Sequence, residues 1–122
     1  MGYRSQVIFG VKKGLEGKLE NVFAEFEMDN YFSAEEVNYK DIFEDKGYQV
    51  VFDNHWIIFT GDYLKWYEDY DDVKGVTEII EELHETEDNA FMVALGESGE
   101  IHSEIGEWYN YIDCMRYLKI AK

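Results

Sequence analysis

Few spacings in this chain could do chemistry. Glu81 and His84 form a Glu-x-x-His step, which sets a carboxylate and an imidazole on one helical face. A di-metal carboxylate site needs two such steps and further Glu residues from other helices. One step is present, and it reads as a surface histidine among acids. Asp69, Asp71 and Asp72 with Gly75 approach a calcium loop. Counted from Asp69, however, the fifth place is Val73 and the glycine falls one place late. These acids suit the first turn of a helix, whose dipole favours negative charge. His102 lies between Glu100 and Glu104, and His55 follows a turn. Neither belongs to a Ser-His-Asp or Cys-His constellation that order along a chain can establish. Cys114 reads as a small buried hydrophobe. Gly96-Glu97-Ser98-Gly99 lacks the outer spacing of a nucleophile elbow and reads as a β-turn. No glycine-rich phosphate loop is present. The reading assigns no catalytic residue, no metal and no cofactor.

The aromatic residues carry more information. Tyr63, Trp66, Tyr67 and Tyr70 form the densest cluster, and Trp108, Tyr109 and Tyr111 form a second. Aromatic rings can stack nucleobases, but a nucleic-acid groove also needs a basic lining, and Lys65 alone stands within the first cluster. Core packing with a rim of half-buried tyrosines is one reading. A protein-binding hot spot is the other, because Tyr and Trp bring large contact area at small entropic cost. Arg4 can pair an acid or stack on an aromatic ring.

Charge is polarised along the chain. All 27 acidic residues fall between Glu16 and Asp113, while both ends carry only basic charge, and the net charge is −16. Such a surface repels nucleic acid and anionic membrane and attracts cationic partners. At 122 residues, 46% of them apolar and 17% aromatic, the chain can bury a core, so the acids sit on a folded body. No apolar run reaches membrane-spanning length. A single cysteine excludes an internal disulfide and fits a reducing compartment, so a cytoplasmic location is expected.

The elements that position these residues follow from periodicity. Tyr3 to Val11, rich in β-branched and aromatic residues, reads as a strand with Val7, Phe9 and Val11 on one face. Leu15, Leu19, Val22, Phe23 and Phe26 make one helical stripe ending near Met28. Ser33 to Lys46 reads as a short helix or an irregular loop, with Ser33 and Glu36 matching a capping box. Tyr48 to Phe52 and His55 to Thr60 read as a hairpin around Asp53-Asn54, with Gly61-Asp62 breaking the second strand. Asp71 or Asp72 caps a helix through Val73, Val76, Ile80 and Leu83. Ala90 to Leu95 and Glu100 to Ile105 are further strands, and Met115 to Ile120 is a last one. The expected fold is α+β: a single domain over residues 1–122, with a mostly antiparallel sheet of five or six strands and two or three helices on one face.

The opening Met1-Gly2-Tyr3-Arg4-Ser5, followed by an apolar strand, resembles a group of small phage and prophage proteins of unknown function. The block Asp62-Tyr63-Leu64-Lys65-Trp66-Tyr67 and the late strand Phe91 to Glu97 are similar to theirs. The resemblance implies a phage or mobile-element origin and carries no catalytic residue. The group's late strand holds a basic residue that Phe91-Met92-Val93-Ala94-Leu95 lacks.

Two functions are therefore expected. The first is a non-enzymatic accessory protein that binds a basic host protein through Glu78, Glu81, Glu82 and Glu85 with Trp66 and Tyr67, acting as a DNA mimic or against a host defence. The alternative is a small-ligand or nucleotide-binding module built from the aromatic 63–70 segment, with Arg4, Tyr63 and Tyr70 as ligand contacts. Direct contact with nucleic acid or membrane is not expected.

Overall fold

The computed structural model of the chain describes residues 4–38, 40, 44, 47, 55–114 and 118–120. Five strands form one sheet: β1 (Ser5–Lys12), β2 (Ser33–Asn38), β3 (His55–Leu64), β4 (Ala90–Gly96) and β5 (Ile101–Ile105). Their spatial order is β2-β3-β1-β4-β5, and every neighbouring pair is antiparallel. The first crossover carries a 3₁₀ turn (Glu16–Leu19) and a short helix α1 (Glu20–Glu25). The second carries a long helix, α2 (Asp71–Glu87). The chain thus runs βαββαβ with strands ordered 2-3-1-4, the split-βαβ arrangement, and β5 extends one edge. The fold is α+β, as the alternation of period-2 and 3.6-period segments predicts.

The sheet is covered on both faces. Val7, Phe9, Val11, Met92 and Ala94 pack beneath Leu19, Val22, Val76, Ile80 and Leu83 on the helical side. Phe9 anchors an aromatic group there, stacked on Phe59 at 5.0 Å and edge-on to Phe32 at 4.9 Å. Ile8, Trp56, Ile58, Phe91, Val93 and Leu95 face the other way. They are covered by a 3₁₀ turn (Trp108–Asn110) and a small two-stranded ribbon, β6 (Ile112–Cys114) and β7 (Leu118–Ile120). Burial on both faces explains why β1 and β4 read as near-continuous apolar runs. The Gln6 side chain ties the ribbon down: its amide nitrogen donates to the Leu118 carbonyl at 2.7 Å, and its oxygen accepts from the Leu118 N–H.

Several expectations are corrected. Ser33 does not cap a helix; Ser33 to Asn38 is edge strand β2, because pairing with β3 outweighs the local capping pattern. The first helix is shorter than Leu15 to Met28, since Glu27 adopts a left-handed φ of 53° and breaks it. Gly61-Asp62 does not end β3, which continues to Leu64 through an irregularity. Cys114 is exposed, not buried. The expected strand Tyr48 to Phe52, and its turn, lie outside the described residues, as does the start of the strand placed at Met115 to Ile120. Among the described residues no helix is long and apolar enough to cross a membrane.

Candidate functional site

One pole of the molecule gathers the start of β1, the end of β3, the first turn of α2, the end of β4 and the start of β5. The register shows how. Val7 pairs with Gly61 and Ser5 with Leu64, so β3 carries one extra residue against β1 there. Such a bulge bends the strand and re-aims side chains. Gly61 is needed at its start, because a Cβ there would lie 2.6 Å from Leu64 and 2.8 Å from the Phe32 ring. Tyr63 sits within the bulge at a left-handed φ of 59°, and the residue is 73% exposed. Arg4 lies beside it, with the guanidinium carbon 5.2 Å from the ring centroid, within cation–π range. The Arg4 backbone N–H donates to a Glu97 carboxylate oxygen, fixing the strand start against the β4 end.

A cavity of about 330 Å³ opens here, lined by Arg4, Tyr31, Tyr63, Trp66, Tyr70 and Asp72 among others. Four large apolar side chains stand exposed among the described residues, and three of them, Tyr31, Tyr63 and Tyr70, are on this cavity. Trp66 is 5% exposed and packs edge-on against Phe32, so it belongs to the core wall of the site. Its indole Nε1–H is buried and has no partner among the described residues. A buried donor of that kind is costly unless something satisfies it. Tyr70 stands edge-on to Tyr67 at 5.0 Å, and Asp72 turns one carboxylate oxygen to accept the Val73 N–H at 2.8 Å.

Two further cavities adjoin the first. One, of about 450 Å³, shares Arg4 and Tyr63 and adds Ser5, Gln6, Asp62 and Glu97. The other, of about 490 Å³, shares Trp66 and runs between α2 and β5, past Glu68, Glu78, Glu81, His102 and Glu104. A hydrogen bond of 2.8 Å between the Ser5 hydroxyl and His102 Nε2 links these two. Which atom donates depends on the ring tautomer. Ser5 is 3% exposed, and the half-buried His102 gives the pair access to the groove. The contact ties the start of β1 to β5 beneath the groove.

The structure divides the residues singled out by sequence. Arg4, Tyr63 and Tyr70 come together on one cavity. Glu78, Glu81, Glu82 and Glu85 are exposed on α2, but Trp66 is core and Tyr67 half-buried, so the six do not form one aromatic-studded docking face. Tyr31 and Ser5 were not singled out, and His102 and Asp72 were weighed by type and set aside. Ser5 and His102 are 97 residues apart, and no local pattern announces their contact. Among the described residues no group of three or more His, Cys, Asp or Glu side chains is placed to hold a metal ion.

No protein-family model matches the chain, and no curated protein matches it either. Among solved structures, one similar chain is a phage SAM lyase in complex with S-methyl-5'-thioadenosine. It is 14% identical, with 89% of this chain and 94% of that one covered, at a TM-score of 0.47. A phage SAM lyase in the apo state is 17% identical, with 88% and 92% covered, at a TM-score of 0.41. Both are structures of an enzyme. The expectation of a non-enzymatic protein that works by binding a basic host protein is at odds with these neighbours and is not carried further; the small-ligand alternative is.

Proposed function

We propose that the chain binds a small nucleoside-class ligand in the tyrosine-lined cavity at the β1–β3 pole. The clustering of Tyr31, Tyr63 and Tyr70 with Arg4 around one cavity carries this reading. Exposed rings on a concave wall are an unfavourable arrangement in water and a favourable one for a planar heteroaromatic ligand. The electrostatics select within the class. Asp62, Asp72, Glu97 and the groove acids Glu68, Glu78 and Glu81 surround the pole, and the whole chain carries −16. A triphosphate is repelled by that field, whereas a neutral or cationic nucleoside is not.

The test is calorimetric titration with S-methyl-5'-thioadenosine (neutral), S-adenosylmethionine (cationic) and ATP (anionic). Binding of the first two, with ATP at least about tenfold weaker, is expected. Stacking on a ring contributes about 1–3 kcal/mol, so Tyr63→Ala should weaken binding by roughly five- to a hundredfold. The S-adenosylmethionine sample is also inspected for S-methyl-5'-thioadenosine, which reports turnover. Equal affinity in Tyr63→Ala and Arg4→Ala, or preference for ATP, contradicts the reading.

A further inference from the structure

The opposite pole, at the other end of α2 and so about 25 Å away along its 17 residues, holds a second cavity of about 230 Å³. Lys12 and Trp56 are cross-strand partners in the β1–β3 register, so both side chains stand on the same face of the sheet. Both line this cavity. Trp56 is 2% exposed, and its indole Nε1–H has no partner among the described residues. Its ring is held by Phe91 at 5.4 Å and Tyr111 at 4.9 Å, and those two are stacked on each other at 4.7 Å. The sheet side of the cavity therefore presents a rigid aromatic wall and one charged donor, the Lys12 ammonium.

The facing wall has the opposite sign. Glu87 and Asp88 close the C-terminal end of α2, where the last helical carbonyls add further negative potential. Glu107 completes this wall, one of its oxygens accepting from the Asn110 side chain at 3.1 Å. Asp88 also lies 3.2 Å from His84 Nδ1. A simple anion entering the cavity meets three carboxylates. A simple cation leaves Lys12 unmet. A molecule with a carboxylate at one end and an ammonium at the other satisfies both walls, and the volume suits an α-amino acid.

We propose that this pole is a binding site for a small zwitterion of the α-amino-acid class, its carboxylate held by Lys12 against the Trp56 wall and its ammonium by the acids at the end of α2. The site is independent of the nucleoside cavity. The test follows the tryptophan indole N–H resonances of the ¹⁵N-labelled chain, with the Trp56 signal assigned by its loss in Trp56→Phe. Glycine, L-serine, L-valine and L-leucine are added to about 10 mM, a range that detects millimolar binding, beside their α-amides and N-acetyl derivatives. A saturable shift of the Trp56 signal by at least one free amino acid is expected. The amide lacks the carboxylate and the N-acetyl form lacks the ammonium, so each should bind at least about tenfold more weakly, as loss of a charge-assisted hydrogen bond implies. Lys12→Met and Glu107→Gln should each weaken binding by a similar factor. The proposal is overturned if no free amino acid moves the Trp56 signal, if the derivatives bind as well as the parents, or if both variants bind unchanged.

Discussion

At the scale of single residues, Tyr63 joins strain to function. A non-glycine residue at left-handed φ costs roughly 1 kcal/mol relative to glycine, and a residue 73% exposed recovers little of that by burial. Tyr63→Gly should leave stability unchanged or raise it by up to about 1 kcal/mol while weakening nucleoside binding at least about tenfold. Thermal melts and calorimetry on one preparation check both halves, and a large loss of stability would show instead that the ring holds the bulge together. Glu36 makes a second case. Lys13 Nζ lies 2.8 Å from one of its oxygens and His55 Nδ1 3.3 Å from the other. The hydrogen bond from Lys13 holds the Glu36 carboxyl below its ordinary value of 4.5. The same bond raises Lys13. The contribution to folding is therefore complete above the ordinary carboxylate range and is lost as pH falls through the lowered value. It is small, because both groups are exposed to water. An NMR titration should place the Glu36 midpoint below 4.5, and Lys13→Ala should move it back up; a midpoint already at 4.5 in the parent would refute the pairing. The grouping of Arg4, Tyr63 and Tyr70 was legible because one of the chain's two arginines and a ring-rich segment stand out by type. Tyr31 and the Ser5–His102 pair were not, since only the folded sheet brings them to the pole.

At the scale of elements, close approach between layers decides where side chains are allowed. A Cβ on Gly10 would stand 2.5 Å from the Phe91 ring, which is itself buried and stacked on Tyr111. Gly10→Ala should therefore destabilise the fold by about 1–3 kcal/mol, the usual cost of overpacking a filled core. Adding Phe91→Leu should recover part of that loss, a coupling that a double-mutant cycle in urea measures; strictly additive losses would mean the two residues do not share the space. The exposed row Glu78, Glu81, Glu82 and Glu85 sets like charges at helical i,i+3 and i,i+4 spacings. Glu82→Lys places an ammonium four residues after Glu78 and should stabilise by about 0.5 kcal/mol. The helical stripes and central strands were legible because burial imposes a period on them. Strand β2 was not, because Ser33-Ala34-Glu35-Glu36 satisfies a helix-start pattern and only its partner β3 makes it a strand. The cover formed by β6, β7 and the turn at Trp108 has no period to read, and it depends on the Gln6–Leu118 tether across 112 residues.

At the scale of the whole molecule, charge and shape act together. A net charge of −16 on 122 residues opposes compaction through self-repulsion, which salt screens. The melting temperature should therefore rise between low salt and about 0.5 M sodium chloride, where the Debye length falls below about 5 Å; a flat or falling profile would mean the acids are already compensated. The helix α2 separates two poles of different character. One is tyrosine-lined with Arg4, and the other sets a donor-bearing sheet edge against an acidic helix end. The central claim is that the first pole takes the nucleoside-class ligand. Its most direct test is the map of backbone amide shifts on adding S-methyl-5'-thioadenosine to the ¹⁵N-labelled chain. Saturable shifts confined to the segments around Arg4–Gln6, Tyr31, Asp62–Asp72 and Leu95–Glu97 are the expected result. Absence of saturable shifts, or shifts centred on Lys12, Trp56 and Glu107, would contradict it.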